Sequence, residues 1–403
     1  PQRPVSRHSR RNARGPLAFV LSIVATVVAV VLVSATSVAA IAVWDITRSA
    51  HEGVALANEP EVIPSIGEIE GGVNILLVGS DSRANTGLEE DGGILNDVNM
   101  ILHISADHTN AVAISIPRDM VVPIADCAGG GGGWTGPINA TLSEGGLACV
   151  NKTVAELTGL KIPYAGLVTF DAVVGLSKVV GGVRVCVSDN IDDPYTNLKL
   201  SKGWHVLQGW GALAFLRTRH GVGDGSDLGR ISNQQVFLSA LMRKVKSESV
   251  LTNPLTLYSM SKVMVSNMTL SSSLNNPDVL VSMALALKNI ELKNIVFVQY
   301  PGTLGNTGVY KSKVKPDLEA AATLFDALNK DLPVTLTGGL GRGAEAGKAP
   351  AVASTPTPAP TGTKKATPKP TTTPTPTATA KPVQLDGSIT GQSADQYTCS
   401  KAN

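Results

Sequence analysis

The chain has 403 residues, enough for one large domain or two ordinary ones, and is 43% hydrophobic, 16% charged and only 4% aromatic. Its 34 Lys and Arg against 32 Asp and Glu leave +2, which excludes a strongly basic nucleic-acid binder and an acidic disordered chain. That balance conceals opposed segments: residues 1–15 carry five Arg and no acid, residues 45–70 carry six acids against Arg48 alone, and residues 350–382 carry four Lys and no acid.

Leu17 to Trp44 is an uncharged run of 28 residues dense in Val, Ala, Ile and Leu. As a helix rising about 1.5 Å per residue it reaches roughly 42 Å, more than a hydrocarbon core of about 30 Å. It exceeds the roughly 7–15 residues of a signal-peptide core, although Ser37, Ala39 and Ala40 near its end leave cleavage open. Arg3, Arg7, Arg10, Arg11 and Arg14 before the run, against Arg48 after it, place the N-terminus in the cytoplasm and the rest of the chain outside. The expected order is a basic cytoplasmic segment (1–16), a transmembrane helix (17–44), an extracellular stalk (45–72), a domain (73–337), a Gly- then Pro/Thr-rich linker (338–382) and a C-terminal tail (383–403).

Four Cys suit an oxidising exterior. Cys127 and Cys149 bracket a Gly-rich stretch and are the favoured pair; Cys186 and Cys399 pair if the tail folds back. Neither Cys-x-x-Cys nor His-x-x-x-His spacing occurs, which argues against a zinc site.

Within 73–337, strands are predicted at Asn74–Val78, Met100–Ser105, Ala111–Ile116 and Val183–Val187. Helices are predicted at Ile231–Lys246 and Asp317–Asn329, with Pro316 marking the second start. Strands interleaved with helices argue a layered α/β domain. Between Pro350 and Pro382, 20 of 33 residues are Pro or Thr, the composition of an extended linker.

Three constellations stand out. The strand Asn74–Val78 delivers Gly79, Asp81 and Arg83 at its C-terminal end, where α/β sheets bind ligands. Asp97 follows in Asn96-Asp97-Val98-Asn99. Two carboxylates at neighbouring strand ends suit a hard cation; equally, both are common turn and cap residues. The second is Ala113-Ile-Ser-Ile-Pro117-Arg118-Asp119, an Arg at the end of an apolar run, whose ordinary alternative is a surface ion pair of little energy. The third is Arg217-Thr-Arg219-His220 followed by Asp227-Leu-Gly-Arg230 and Gln234-Gln235. If extended, Arg217 and Arg219 share a face. In a helix starting near Asp227, Arg230 and Gln234 share a face with Phe237 and Leu241, so the helix start can face an anion while its body faces the core. Guanidinium forks suit phosphate, whereas an N-cap alone would explain Asp227.

In this order, Gly-Ser-Asp81-Ser-Arg83, Asp97, Ser-Ile-Pro-Arg118-Asp119, Arg217-Thr-Arg219-His220 and Asp227-Leu-Gly-Arg230 with Gln234-Gln235 resemble the LytR-CpsA-Psr family of bacterial cell-wall enzymes over roughly residues 73–247. The resemblance implies a three-layer α/β/α sandwich with a central mixed sheet and a long apolar pocket for a polyprenyl lipid. It implies transfer of a phosphorylated glycopolymer from a polyprenyl-pyrophosphate carrier to peptidoglycan, with Mg²⁺ held by Asp81 and Asp97. Arg118, Arg217, Arg219, Arg230 and Gln234 would grip the pyrophosphate with Arg83 near it, and Asp227 would accept the acceptor hydroxyl's proton. Such chemistry is mostly positioning and charge neutralisation.

Two positions depart from the family pattern: Leu95 and Asn233 stand where Arg is usual. They support an alternative, a non-catalytic or weakly active polyprenyl-phosphate or cell-wall binder; the acceptor could also be a surface protein. Regulation of transcription conflicts with the topology, because nucleic acid would lie on the wrong side of the membrane.

Overall fold

The computed structural model describes residues 16–49, 51–60, 71–80, 94–127, 133–247, 250–350 and 381–403. It divides into two units, residues 1–49 and residues 50–403. The first contains α1 (Pro16–Ser49), a 34-residue helix. Counted over the described residues alone, no helix is long and apolar enough to cross a membrane.

The second unit begins with strands β1 (Val73–Ser80), β2 (Asn96–Ile104) and β3 (Ala111–Ile116), then a hairpin of β4 (Val121–Pro123) and β5 (Thr135–Pro137). Next come α2 (Thr141–Thr158), β6 (Tyr164–Val168), α3 (Phe170–Val179), β7 (Val183–Val187), the hairpin β8 (Ile191–Asp193) and β9 (Leu198–Leu200), and β10 (Gly203–Leu207). Helices α4 (Trp210–Arg217), α5 (Asp227–Ser247) and α6 (Pro254–Asn267) lead to β11 (Met268–Leu270), α7 (Pro277–Lys288) and β12 (Ile295–Gln299). The hairpin β13 (Gly302–Leu304) and β14 (Val314–Pro316), α8 (Leu318–Asn329), β15 (Val334–Thr335) and β16 (Ala344–Ala346) follow. Beyond the Pro/Thr segment lie β17 (Val383–Gln384), β18 (Gly391–Ser393) and β19 (Thr398–Ser400).

The α/β reading holds in a central seven-stranded mixed sheet of order β11-β6-β1-β2-β3-β12-β18. β1, β2 and β3 are antiparallel neighbours, while β6 joins β1 and β12 joins β3 in parallel. Strand β3 is buried at all six positions, and its sequence, apolar but for Ser115, suits a strand covered on both faces. Leu76, Val78, Ile101, Ile114, Val296 and Val298 share a core with Val150 and Val154 of α2 and Leu324 and Phe325 of α8. A second core joins Val183, Val185 and Val187 of β7 to Phe215 of α4 and Phe237 and Ala240 of α5.

Predicted strands 111–116 and 183–187 appear with those bounds, and α5 begins four residues before the predicted Ile231. The helix predicted after Pro316 is α8: Pro316, the last residue of β14, stands directly before Asp317, which caps the helix, its Oδ1 accepting from Ala320 N at 3.1 Å.

The tail is part of the body. β18 lengthens the central sheet beside β12, and β19 lies between β7 and β16 in the second sheet, order β10-β7-β19-β16. Cys399 sits opposite Cys186 in parallel register and is bonded to it, Cα atoms 4.4 Å apart; Cys127 and Cys149 form the second disulfide at 5.3 Å. Residues 344–346, within the expected linker, are also a strand of that sheet. The start of the stalk is likewise docked: Val54 N donates to Leu270 O and Ser272 N to Val54 O, both at 2.9 Å. Residues 351–380, the Pro/Thr stretch, lie outside the described residues.

Candidate active site

Three elements converge at one end of the central sheet. Opposite Gly79 and Ser80 of β1 stand Val98 and Asn96 of β2, so Asp97 is the extra residue of a β-bulge. A bulge turns a side chain out of the alternating pattern. Asn96 anchors this corner: its Nδ2 donates to Asn99 Oδ1 at 2.7 Å and its Oδ1 accepts from Leu142 N at the start of α2 at 3.0 Å. Arg118 leaves the end of β3 in a turn closed by Met120 N to Pro117 O, 3.0 Å. α5 supplies Asp227 and Arg230 from its first turn.

Asp227 is not the cap of its helix. Ser226 does that work: its Oγ accepts from Gly229 N at 3.2 Å and its carbonyl from Arg230 N at 3.2 Å. The Asp227 carboxylate is therefore free to turn to its neighbours. Oδ2 accepts from Arg118 N at 3.0 Å, and Oδ1 lies 2.6 Å from Arg230 Nη2 as an ion pair without hydrogen-bond geometry. Arg118 Nη1 donates to Asp97 Oδ1 at 2.5 Å, and Arg230 Nη2 donates to the Asp97 carbonyl at 2.8 Å. Lys313 reaches Asp119 at 3.0 Å at the edge of the group. Asp97, Arg118, Asp227 and Arg230, named from sequence, thus form one cluster.

The pair Asp227–Arg230 is almost wholly buried, with side-chain exposures of 4% and 8%. Burial works against the charge on Arg118, but attraction and hydrogen bonding from Asp97, with Asp119 and Asp227, outweigh it and raise its pKa above the usual value. Arg118 Nε, Arg230 Nε, Arg219 Nε and Asn99 Nδ2 are buried donors without a hydrogen-bond partner among the described residues. Buried orphan donors are costly unless a ligand completes them, and donors carrying positive charge call for an anion.

The other predicted residues are placed differently. Arg217 and Arg219 do not lie on an extended strand: Arg217 ends α4, its guanidinium 4.4 Å from the centre of the Phe170 ring, and Thr218 turns the chain before Arg219. Gln234 is buried and its Nε2 donates to Leu216 O at 3.0 Å, so it ties α5 to the end of α4. Asn233, where Arg is usual, donates from Nδ2 to Phe215 O at 2.6 Å and accepts at Oδ1 from Ser400 Oγ of β19 at 2.5 Å. Leu95 is half-buried beside the bulge. Asp81 and Arg83 lie outside the described residues, and among the described residues no group of three or more His, Cys, Asp or Glu could hold a metal.

Sequence reasoning missed Asp193. It is fully buried and accepts from Thr218 Oγ1 (2.5 Å), Arg219 N (3.2 Å), Gly221 N (3.4 Å) and Tyr195 N (3.0 Å), which sets the turn carrying Arg217 and Arg219. Burial pushes its pKa up, but these hydrogen bonds outweigh that and hold it below the usual carboxylate range. Its one local signal is Asp-Asp-Pro, a turn-forming sequence.

Residues 40–329 match the model of the LytR_cpsA_psr family. The chain belongs to this family. It is 29% identical over 300 residues to the cell wall biosynthesis protein LcpA of Corynebacterium glutamicum, covering 66% of this chain and 57% of that protein. It is 31% identical over 253 residues to TagT of Bacillus subtilis, a polyisoprenyl-teichoic acid–peptidoglycan teichoic acid transferase, covering 60% of this chain and 76% of TagT. With LcpB of C. glutamicum, where 46% of the relative is covered, the chain spans about half the length of the first two relatives. Among solved structures, B. subtilis TagV superposes with a TM-score of 0.54 at 22% identity, covering 65% of this chain and 98% of that one. These structures share the mixed α/β fold.

Proposed function

We propose that this LytR-CpsA-Psr chain is a phosphotransferase moving a glycopolymer from a polyprenyl-pyrophosphate carrier to a peptidoglycan hydroxyl. The observation that carries this reading is the cluster Asp97–Arg118–Asp227–Arg230, in which the two guanidinium groups keep buried Nε donors without a hydrogen-bond partner among the described residues. The names of TagT and LcpA point to the same chemistry.

In this reading the donor's pyrophosphate takes the unmet donors of Arg118 and Arg230, with Arg219 and Arg217 completing the grip from the adjacent turn. Arg118 turns from Asp97 to the phosphate. Asp227, held by Arg118 N and beside Arg230, accepts the proton of the acceptor hydroxyl. The acceptor oxygen attacks the phosphorus bearing the glycan; the bond from that phosphorus to the bridging oxygen breaks, leaving a glycan phosphodiester and polyprenyl phosphate. The oxygen chemistry of Asp97, with Asp81, suits Mg²⁺, which when bound would neutralise phosphate charge.

We further propose that α1 is the membrane anchor and that residues after it lie outside the cell. The uncharged run Leu17–Trp44 and the five preceding Arg support that orientation.

The test uses the full chain in detergent, given lipid-pyrophosphate-linked glycan, peptidoglycan and Mg²⁺, with released polyprenyl phosphate as the readout. Full activity in Arg217→Ala and Asp97→Ala would remove the site assignment. Tight polyprenyl phosphate binding without turnover would favour the binding-protein reading raised by Leu95 and Asn233. Omitting Mg²⁺ should abolish turnover while leaving the fold unchanged.

A further inference from the structure

The end of β12 opens on a cavity of about 210 Å³ bordered by Gln299, Leu228, Leu340, Arg342, Ser388 and Thr390. Val296, Val298 and Tyr300 of the β12 segment belong to the core shared with α8, where Tyr300 lies 5.6 Å from Phe325 between ring centres. Gln299 borders the cavity together with Tyr300 and with Leu228 of the first turn of α5. Gln299 is 7% exposed and lines the cavity. An amide at this border can both donate to and accept from a ligand in the space.

The cavity adjoins the catalytic cluster through two pieces of backbone. Leu228 directly follows Asp227. Tyr300 N donates to Ser115 O at 2.8 Å, and Ser115 lies three residues before Arg118. The far wall is built by the C-terminal segment: Gln299 N donates to Thr390 O at 3.0 Å and Gly391 N to Gly339 O at 3.1 Å. The 340–343 stretch fits against α5 because Gly343 lacks a side chain; a Cβ there would stand 2.1 Å from Gly229 O.

Its chemistry is neutral and amphipathic. The Arg342 guanidinium is already paired with Asp224 at 2.6 Å, and no carboxylate of the described residues borders the space. What remains is an amide, the Ser388 and Thr390 hydroxyls, and the apolar surfaces of Leu228 and Leu340. Hydrogen-bonding groups beside apolar surface match the hydroxyl edge and C–H face of a sugar ring. The volume, below the about 300–1,000 Å³ of drug-sized sites, limits the occupant to a single ring.

We propose that this cavity is a subsite for one sugar ring of the substrate glycan, held by Gln299 and Thr390; the inference rests on the phosphotransferase reading above for which glycan is handled. The ring could belong to the acceptor or to the donor, and the experiment separates them. The full chain in detergent, without Mg²⁺ so that nothing turns over, is titrated with N-acetylglucosaminyl-N-acetylmuramic acid in one arm and with lipid-pyrophosphate-linked disaccharide in the other. Gln299→Leu should weaken one of the two by about tenfold, the effect of about one buried hydrogen bond, and Thr390→Val by less. Leu340→Trp, which fills the space from its rim, should abolish that same binding if Gln299→Leu does not fold. Binding of free polyprenyl phosphate should not change. Loss in the acceptor arm assigns the ring to the cell wall, and loss in the donor arm to the glycopolymer. Unchanged affinity for both disaccharides in Gln299→Leu and Leu340→Trp overturns the subsite. If sugar binding depends on Gln299 but no polyprenyl phosphate is ever released, the transferase reading fails while the subsite stands.

Discussion

Two buried carboxylates lie within one stretch of chain and are treated in opposite ways. Asp193 accepts four hydrogen bonds from the turn 218–221 and from Tyr195, and is held below its usual pKa by them. Asp227 accepts one backbone N–H, and its other oxygen faces Arg230 without hydrogen-bond geometry. A carboxylate whose lone pairs are filled by its own protein is a structural part. One left short of partners and surrounded by cations with unmet donors retains capacity for a substrate. The comparison separates stability from chemistry in a region where both residues are Asp.

The sharpest way to break it is Asp227→Asn. The change keeps size and the bond from Arg118 N but removes the base, so turnover should fall by about 10²–10⁴-fold, while the thermal midpoint moves less than for Asp193→Asn. A larger midpoint shift in Asp227→Asn would place this residue among the structural carboxylates. Asp193→Asn should instead cost about 1–3 kcal/mol in denaturant unfolding, because an NH₂ would meet N–H donors in a sealed site. Its activity should fall through KM for the pyrophosphate donor, since Arg217 and Arg219 lose their turn. Thr218→Val, which deletes one of the four donors, should cost about 1 kcal/mol.

The smallest effect is in pH. Asp193 titrates below the ordinary 3.8 in the folded protein. The unfolded chain therefore binds this proton first as pH falls. The stability contributed by Asp193 is present above that ordinary value and is lost as pH drops through the folded value. The stability gap between the native chain and Asp193→Asn should narrow over that acidic window and stay constant near neutrality, as read by unfolding midpoints at successive pH values. A gap that widened on acidification would reverse the sign assigned to the Asp193 hydrogen bonds.

Much of the catalytic end was legible from local pattern. Asp97 before an apolar run marked the start of β2, Arg118 after one marked the end of β3, and Asp227 to Arg230 marked the start of α5, because strand and helix periodicity depend on near neighbours in the chain. Three features were not legible. The bulge that turns Asp97 out depends on the register of β1 against β2. The cap on α5 falls to Ser226, so a reading of Asp227 as an N-cap gives way to one in which its carboxylate faces Arg118 and Arg230. Asn233, seen from sequence only as a missing Arg, is satisfied by Phe215 O and by Ser400, a residue 167 positions away.

By itself, then, the sequence determined the uncharged N-terminal run, the α/β alternation, the Pro/Thr segment and the family's charged residues in order. Each follows from composition or short-range spacing. Only the tertiary structure decided that the last 21 residues supply three short strands to the body, that Cys399 meets Cys186, and that Gln299 borders a cavity walled by the C-terminal segment. The physical reason is the same in each case. A two- or three-residue strand has no stability or periodicity of its own; it exists because a partner elsewhere in the chain satisfies its backbone and a disulfide 213 residues long in sequence holds it there.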